Sequence, residues 1–196
     1  MTRFRTHRGL LLVLSGPSAV GKSTICNRLR DEAGLSYCVS TTTRNKRPND
    51  EKGKTYDYVT VEEFFRRLDD DQFLEYAQVY DNYYGTPKHP TLDDIAAGRD
   101  VLLDIDVQGA LQVRYAYPEA LLVFILPPDE PTLLERLRGR ARDSDEDITR
   151  RFRAAKREIH MAKGSRAFDH MVVNDHLDRA VAEIRQLIRN KKTGAL

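Results

Sequence analysis

The sequence predicts an α/β protein: a parallel sheet flanked by helices, with an inserted lobe and a mobile lid. Three observations predict it. A short apolar run, a glycine-rich loop and a helix-like stretch follow one another over residues 10–30. Apolar runs then alternate with amphipathic ones from Val101 to Ile188, the rhythm of a parallel sheet with crossover helices. Between about 40 and 97 that rhythm breaks into short strands rich in Tyr, Arg and Thr, which marks an insertion.

Residues 10–15, Leu-Leu-Leu-Val-Leu-Ser, are short and apolar enough for a buried strand. Residues 24–30 read as a helix, with Ile25 and Leu29 one turn apart. Residues 36–40 make a second strand, followed by Thr41-Thr-Thr-Arg44 and a polar loop over 45–53. Residues 56–59 are strand-like, and Thr60 with Glu63 forms a capping box that opens a helix to about Leu68. Residues 73–79 alternate as a strand, 82–85 read as a turn or short strand, and 91–97 as a short helix closed by Gly98. Residues 101–105 and 121–126 are buried-type strands, the second stopped by Pro127-Pro128. Pro131 sits where the first turn of a helix tolerates it, in a helix running to about Arg138. Residues 139–147 are charged and irregular. Ile148, Phe152, Ala155 and Ile159 then mark an amphipathic helix, 170–173 a last strand, and Leu177, Val181, Ile184 and Ile188 a final helix. The resulting division is a basic tail (1–8), a core (9–39, 98–138 and 152–190), a lobe (about 40–97), a lid (about 139–151) and a C-terminal tail (191–196).

The bulk numbers exclude several classes. A net charge of +2 from 32 basic and 30 acidic residues is too balanced for a nucleic-acid-binding protein. No apolar run approaches the ~20 residues of a membrane span, and residues 1–8 lack the apolar centre of a secretion signal. The two cysteines, Cys26 and Cys38, form no C-x-x-C pair, which predicts a reduced, cytoplasmic chain. The five histidines show no zinc spacing.

The loop that everything surrounds is Gly16-Pro-Ser-Ala-Val-Gly-Lys-Ser23, a match to G-x-x-x-x-G-K-[ST] between a strand and a helix. Gly16 and Gly21 let the backbone wrap a phosphate closely and turn N–H groups toward it. The following helix presents its positive end to the same anion. Lys22 adds a full charge near the outer phosphates, and the Ser23 hydroxyl suits Mg²⁺. Gly16, Pro17, Ser18, Ala19, Val20, Gly21, Lys22, Ser23 and Thr24 are thus the candidate nucleoside-triphosphate contacts. The loop alone does not say what is done with the nucleotide.

A transferase needs a second pocket. Arg44 and Arg47 follow a strand, with Tyr56, Tyr83 and Tyr84 in the same lobe, and arginine forks with tyrosine hydroxyls suit a phosphate monoester. A solvated basic loop is the alternative. Arg136, Arg140 and Arg151 cluster around the lid segment, where a charged helix end is the alternative reading. Asp104 and Asp106 stand at the carboxyl end of a strand, fit to serve Mg²⁺, a base or simply a helix cap.

Several motifs in order carry a resemblance to the guanylate kinases, enzymes that move a phosphate from ATP to GMP. They are residues 15–24, Thr42-Thr-Arg44 with Arg47, Gly53 and Tyr56, Phe73-Leu-Glu75, Asn82-Tyr-Tyr-Gly-Thr86, Leu103-Asp-Ile-Asp-Val-Gln-Gly109, residues 136–140, and Val173-Asn-Asp175. The match spans about residues 9 to 190. The resemblance implies that Ser40, Glu75 and Thr86 contact guanine, and that Arg44, Arg47, Tyr56 and Tyr84 hold the GMP phosphate. It implies Asp106 on the guanine side or in the metal network, Asn174 near adenine, and Arg136, Arg140 and Arg151 in the lid and on the ATP side. Lys22 and those arginines would be catalytic, Ser23 would hold Mg²⁺ with ATP, and GMP and dGMP would be the acceptors. Monomer and homodimer both fit.

The chain departs from the family pattern at three points. Ala19 stands where glycine is usual, at a position free in the general loop pattern, so tolerance is expected. Asp50 stands where glutamate is usual, with Glu51 beside it. Ala141 replaces a second lid glycine, which would stiffen closure. The rivals are a protein-binding scaffold module of the same fold and a kinase for another phosphorylated acceptor. The retained Gly21, Lys22 and Ser23 oppose the first and the guanine-contact positions the second. No Asn-Lys-x-Asp motif supports a regulatory GTPase.

Overall fold

The apolar run at the start of the chain becomes β1 (Leu11–Ser15), the central strand of a five-stranded parallel sheet. The computed structural model describes residues 8–48, 50, 56–139 and 144–195. Around β1 the strand order is β2 (Ser36–Tyr37), β7 (Val101–Asp104), β1, β8 (Leu121–Leu126) and β9 (His170–Val173). Because successive side chains alternate across a strand, Leu12 and Leu14 face one layer and Leu11 and Val13 the other. The first layer packs on Ile25 and Leu29 of α1 (Lys22–Ala33) and on Val181 and Ile184 of α7 (Leu177–Thr193). The second packs on Ala110 and Val113 of α4 (Val107–Ala116). Helices on both faces are why the strands read as unbroken apolar runs rather than as alternating ones.

The connections after β1 and β7 leave in opposite directions, one toward β2 over α1, the other over α4 to β8. That divergence opens a crevice at the carboxyl ends of the two strands, the usual ligand position in open α/β sheets. α5 (Glu130–Arg138) and α6 (Asp145–Ser165) connect β8 to β9 and pack on each other through Leu133, Leu137, Ile148 and Ala155.

A second, four-stranded sheet forms the lobe, ordered β4 (Asp57–Tyr58), β3 (Thr41–Thr42), β6 (Asn82–Pro87) and β5 (Phe73–Val79). It is backed by α2 (Val61–Asp69), whose N-cap Thr60 hydroxyl accepts from the Glu63 N–H at 3.2 Å; the Glu63 carboxylate pairs with Arg66 and Arg67 instead of reaching back, so only half of the expected capping box forms. Phe64 is fully buried there, stacked on Phe73 at 4.6 Å between centroids. α3 (Lys88–Ala96) returns the chain to the core, where Ile95 joins the layer beneath Leu11 and Val13.

Several boundaries differ from the sequence reading, each for a local reason. The strand expected over 36–40 shrinks to two residues, because the chain leaves the core sheet after Cys38 and Thr41–Thr42 pairs in the lobe. The turn or short strand at 82–85 is the full strand β6, since the reversal is made by Tyr80 and Asp81 alone, with Tyr80 at φ 55. α1 starts at Lys22 rather than Thr24, with Gly21 at φ 96 as its N-cap. α3 starts three residues before Thr91, because Pro90 fits within a first turn. α6 begins inside the segment read as irregular lid, because the Ser144 hydroxyl caps the Asp147 N–H at 3.1 Å. α7 extends through Thr193 into the expected tail. Arg140, Ala141 and Arg142 of the lid segment, Glu51 and Gly53 of the polar loop, and residues 1–7 lie outside the described residues.

Candidate functional site

The phosphate loop closes over the carboxyl end of β1. Gly16 needs its lack of a side chain twice: its φ is 150, and a Cβ would lie 2.6 Å from the Ile125 carbonyl oxygen. Lys22 Nζ donates to the Gly16 carbonyl at 3.0 Å and pairs with Asp104 Oδ1 at 3.3 Å. Burial disfavours its charge, but Asp104 and then Glu158 outweigh that and hold its pKa above the ordinary lysine value. The ammonium is therefore charged and held at the loop. Behind the loop, the Val20 carbonyl accepts from Asn174 Nδ2 at 2.8 Å and from Arg136 Nη1 at 3.4 Å, while Arg136 Nη2 donates to the Asn174 carbonyl at 3.0 Å.

Ala19 corrects one expectation. Its φ is 67, in the left-handed region, so the position is conformationally selective and not free. Left-handed backbone costs a residue with a Cβ about 1–2 kcal/mol. The Ala19 methyl offsets part of that by packing against the α5–α6 cluster. Ala19→Gly should therefore stabilise by about 1 kcal/mol at most, read as the urea midpoint. A clear loss of stability would mean that the methyl contact outweighs the strain.

A cleft of about 360 Å³ runs from this loop to the lobe. Gly16, Pro17, Ser18, Ala19, Gly21, Lys22, Ser23 and Thr24 form one wall, and Ser40, Tyr56, Glu75 and Tyr84 the other. Asp104, Ile105 and Asp106 form the floor, and Glu158 reaches in from α6. Glu75 lies on β5 opposite Thr86 on β6 and is 4% exposed. Its Oε1 accepts the Thr86 hydroxyl at 2.5 Å. Burial pushes its pKa up to about 7; the Asp106 charge adds to the rise and the Thr86 hydroxyl opposes it. Asp106 caps α4, accepting from the Gly109 N–H at 2.8 Å, and burial raises its pKa as well. The helix-cap reading of that aspartate is thus realised.

Arg44 stands at the lobe end. Its Nη2 donates to Asp50 Oδ2 at 2.7 Å, and its guanidinium lies 5.3 Å from the Tyr56 ring centroid. Tyr56 meets Tyr84 edge-on at 5.7 Å. Asp50 also accepts the Arg47 backbone N–H at 2.8 Å; with that bond first, the Tyr58 hydroxyl next and Arg44 after, its pKa falls to about 2. The carboxylate at 50 therefore acts locally, as the brace of Arg44. The Arg47 side chain is exposed.

The structure brings most candidates together, but not all. Thr86 is fully buried with its hydroxyl committed to Glu75, so it sits behind the wall and not on it. Arg136 and Asn174, expected on the ATP side, grip the loop's back because the Val20 carbonyl points that way and needs donors. Val20 itself is buried. Arg44, Arg47 and Arg151 are not among the described lining residues, and Arg151 belongs to the second turn of α6. Glu158 and Tyr80 were missed. Glu158 flanks the apolar stripe of Ile148, Phe152, Ala155 and Ile159, and a carboxylate beside a buried face was the available signal. Burial leads its rise to about 7. Tyr80 projects from the hairpin tip to Arg150 of α6, 5.4 Å from ring centroid to guanidinium.

A hard cation fits here only with help. Ser23 offers an exposed hydroxyl in the cleft, but among the described residues no three His, Cys, Asp or Glu stand close enough to hold a metal. One protein oxygen completed by nucleotide phosphates is the pattern magnesium accepts.

Comparison with known proteins agrees with this geometry. A guanylate kinase from Caldanaerobacter subterraneus is 44% identical over 186 residues, covering 94% of this chain and 89% of that protein. One from Gloeobacter violaceus is 48% identical over 179 residues, covering 91% and 86%. The crystal structure of guanylate kinase from Anaplasma phagocytophilum superposes with a TM-score of 0.77 at 32% identity, covering 95% of this chain and 87% of that one. The SH3-kinase fragment of tight junction protein 3 matches at TM-score 0.51 and 16% identity, covering 98% of this chain and 60% of that one, a likeness of fold alone. The guanylate kinase family model matches residues 8–191, and with it the chain belongs to the guanylate kinase family.

Proposed function

We propose that the chain transfers the γ-phosphate of ATP to GMP, and to dGMP, giving ADP and the nucleoside diphosphate. One observation carries the reading: a single cleft has a phosphate loop on one wall and a buried carboxylate, Glu75, on the other. The loop, residues 16–24, takes the ATP phosphates. The lobe takes GMP, with its base toward Glu75, Ser40 and Asp106 and its phosphate toward Tyr56, Tyr84, Arg44 and Arg47. Ser23 would hold Mg²⁺ brought in with ATP, and that ion would neutralise phosphate charge.

The chemistry asks for no general base. A phosphate monoester has a second pKa near ~6, so GMP is largely a dianion at neutral pH. The barrier is electrostatic: two anions must meet in line while charge shifts onto the bridging oxygen of the donor. Lys22 is held at the loop ready to follow that charge. Asp50 braces Arg44, which would orient one donor to the acceptor phosphate. The contact between Tyr80 and Arg150 joins the lobe to the start of α6, which lies within the lid in this reading, so lobe and lid would close together and limit loss of ATP to water. Arg140 and Arg151 belong to that lid in this reading, whereas Arg136 and Asn174 position the loop. No described helix is long and apolar enough to cross a membrane. The free Cys26 and Cys38 thiols agree with a reducing, cytoplasmic setting.

A coupled assay for ADP, run with ATP and each of GMP, dGMP, AMP, UMP and ribose phosphates, tests the proposal. Turnover with GMP and dGMP far above the acceptor-free background is expected. Comparable rates with AMP or a sugar phosphate would overturn it.

A further inference from the structure

Gly109 occupies the third residue of α4, with its N–H capped by Asp106. Its backbone is ordinary helix, outside the left-handed region where glycine is needed. Alanine is the better helix former at such a position. Local structure therefore gives no reason for glycine here. The reason lies across the interface. A Cβ on Gly109 would lie 2.9 Å from the Glu75 carboxyl carbon and closer still to Oε2. Such approaches do not occur without movement of one partner.

Neither partner is free to yield. α4 and β5 are stitched together one residue away: the Tyr76 N–H donates to Gln112 Oε1 at 3.1 Å, and Gln112 Nε2 donates to the Tyr76 carbonyl at 2.6 Å. Ile105 Cδ1, 3.4 Å from the same Cβ position, fills the space on that side with an ordinary van der Waals contact. On its other oxygen, Glu75 is held by the Thr86 hydroxyl. The carboxylate is clamped between Thr86 and the bare Cα of Gly109.

We propose that Gly109 is a specificity-determining position for the acceptor base: its missing side chain sets where the Glu75 carboxylate stands in the cleft. The inference rests on the reading that Glu75 meets guanine. Two donors on one edge of a purine must meet two acceptor atoms at once, so the carboxylate tolerates little displacement. Gly109 touches no substrate in this account. It is a positioning residue that acts through Glu75.

The test is a double-mutant cycle on the full chain, using ATP with GMP or AMP. Gly109→Ala should raise the KM for GMP on the order of 10- to 100-fold, leave the KM for ATP within about twofold, and narrow the GMP:AMP preference. In a Glu75→Ala background, where the clash is gone, the same change should leave GMP kinetics unaltered and raise the melting temperature, as helix propensity dictates. An equal loss in both backgrounds, or an unchanged KM in Gly109→Ala, overturns the proposal. If Gly109→Ala fails to fold while Glu75→Ala/Gly109→Ala folds, the conflict with Glu75 is demonstrated directly; if both fail, glycine is needed for another reason and the proposal falls. Failure of the underlying reading looks different. It appears as a wild-type KM for GMP in Glu75→Gln, where Gly109 is untouched.

Discussion

Lys22→Ala is expected to lower kcat by about 10³-fold or more while leaving the secondary structure intact. A donor aimed at charge that grows in the transition state is commonly worth ~10²–10³ in rate, and a full ammonium in a partly buried cleft stands at the upper end or beyond. Lys22 and Asp104 have side chains only 18% and 15% exposed, so water substitutes poorly for the lost charge. The loss should fall on kcat more than on the KM for GMP if the acceptor meets the opposite wall as proposed. The substitution also leaves Asp104 without its cation, so a small drop in melting temperature at neutral pH should accompany it. Single-turnover measurement of phosphoryl transfer checks the kinetic part. A rate within tenfold of wild type would remove the phosphate-loop assignment.

Glu75→Gln should raise the KM for GMP sharply, spare the KM for ATP and narrow the preference over AMP. Guanine offers the ring N1–H and the exocyclic amine side by side; those donors favour the ionised form of Glu75, whose carboxylate accepts both. Adenine has an unprotonated N1 and no amine at C2, so it would leave the carboxylate desolvated and unpaired, a mismatch worth on the order of 10⁴-fold in discrimination. The amide accepts through one atom only. The same substitution has a signature in stability. With its folded-state pKa near 7, above the ordinary 4.5, Glu75 keeps a proton that the unfolded chain gives up. Its contribution is complete below about 4.5 and disappears as pH rises through 7, where ionisation in the buried site costs on the order of 3 kcal/mol. The melting temperature of Glu75→Gln minus that of wild type should therefore grow from pH 5 to pH 8. A flat difference together with unchanged GMP kinetics would return Glu75 to an ordinary strand residue.

What could be read from the sequence depended on how local the cause was. The phosphate loop, the Thr60 helix cap and the apolar strands are determined by neighbours within a few residues, and they stand where periodicity and capping rules put them. Glu75, Tyr56 and Tyr84 reached the cleft through motifs in order, a resemblance that spacing alone does not supply. Three features were not read from the motifs, because a motif does not fix a residue's hydrogen-bond partner or its backbone conformation. Thr86 slips behind the wall because its strand partner is Glu75. Arg136 and Asn174 turn to the back of the loop because the acceptor is a backbone carbonyl at Val20, more than a hundred residues away. Ala19 takes a left-handed backbone that no general loop pattern requires. A motif names residue types, and it is silent on which carbonyl will need a donor.

That grip on the Val20 carbonyl has a consequence for the timing of catalysis. A glycine loop that ordered itself only around incoming ATP would lose conformational freedom at each binding event, and every turnover would repeat the loss. Here Asn174, just after β9, and Arg136, in the last turn of α5, hold the loop's rear surface through contacts made within the protein alone. Both donors come from segments far along the chain, so the loop takes its shape only when the sheet is complete. Each such contact shifts part of the cost of ordering the loop from nucleotide binding to folding.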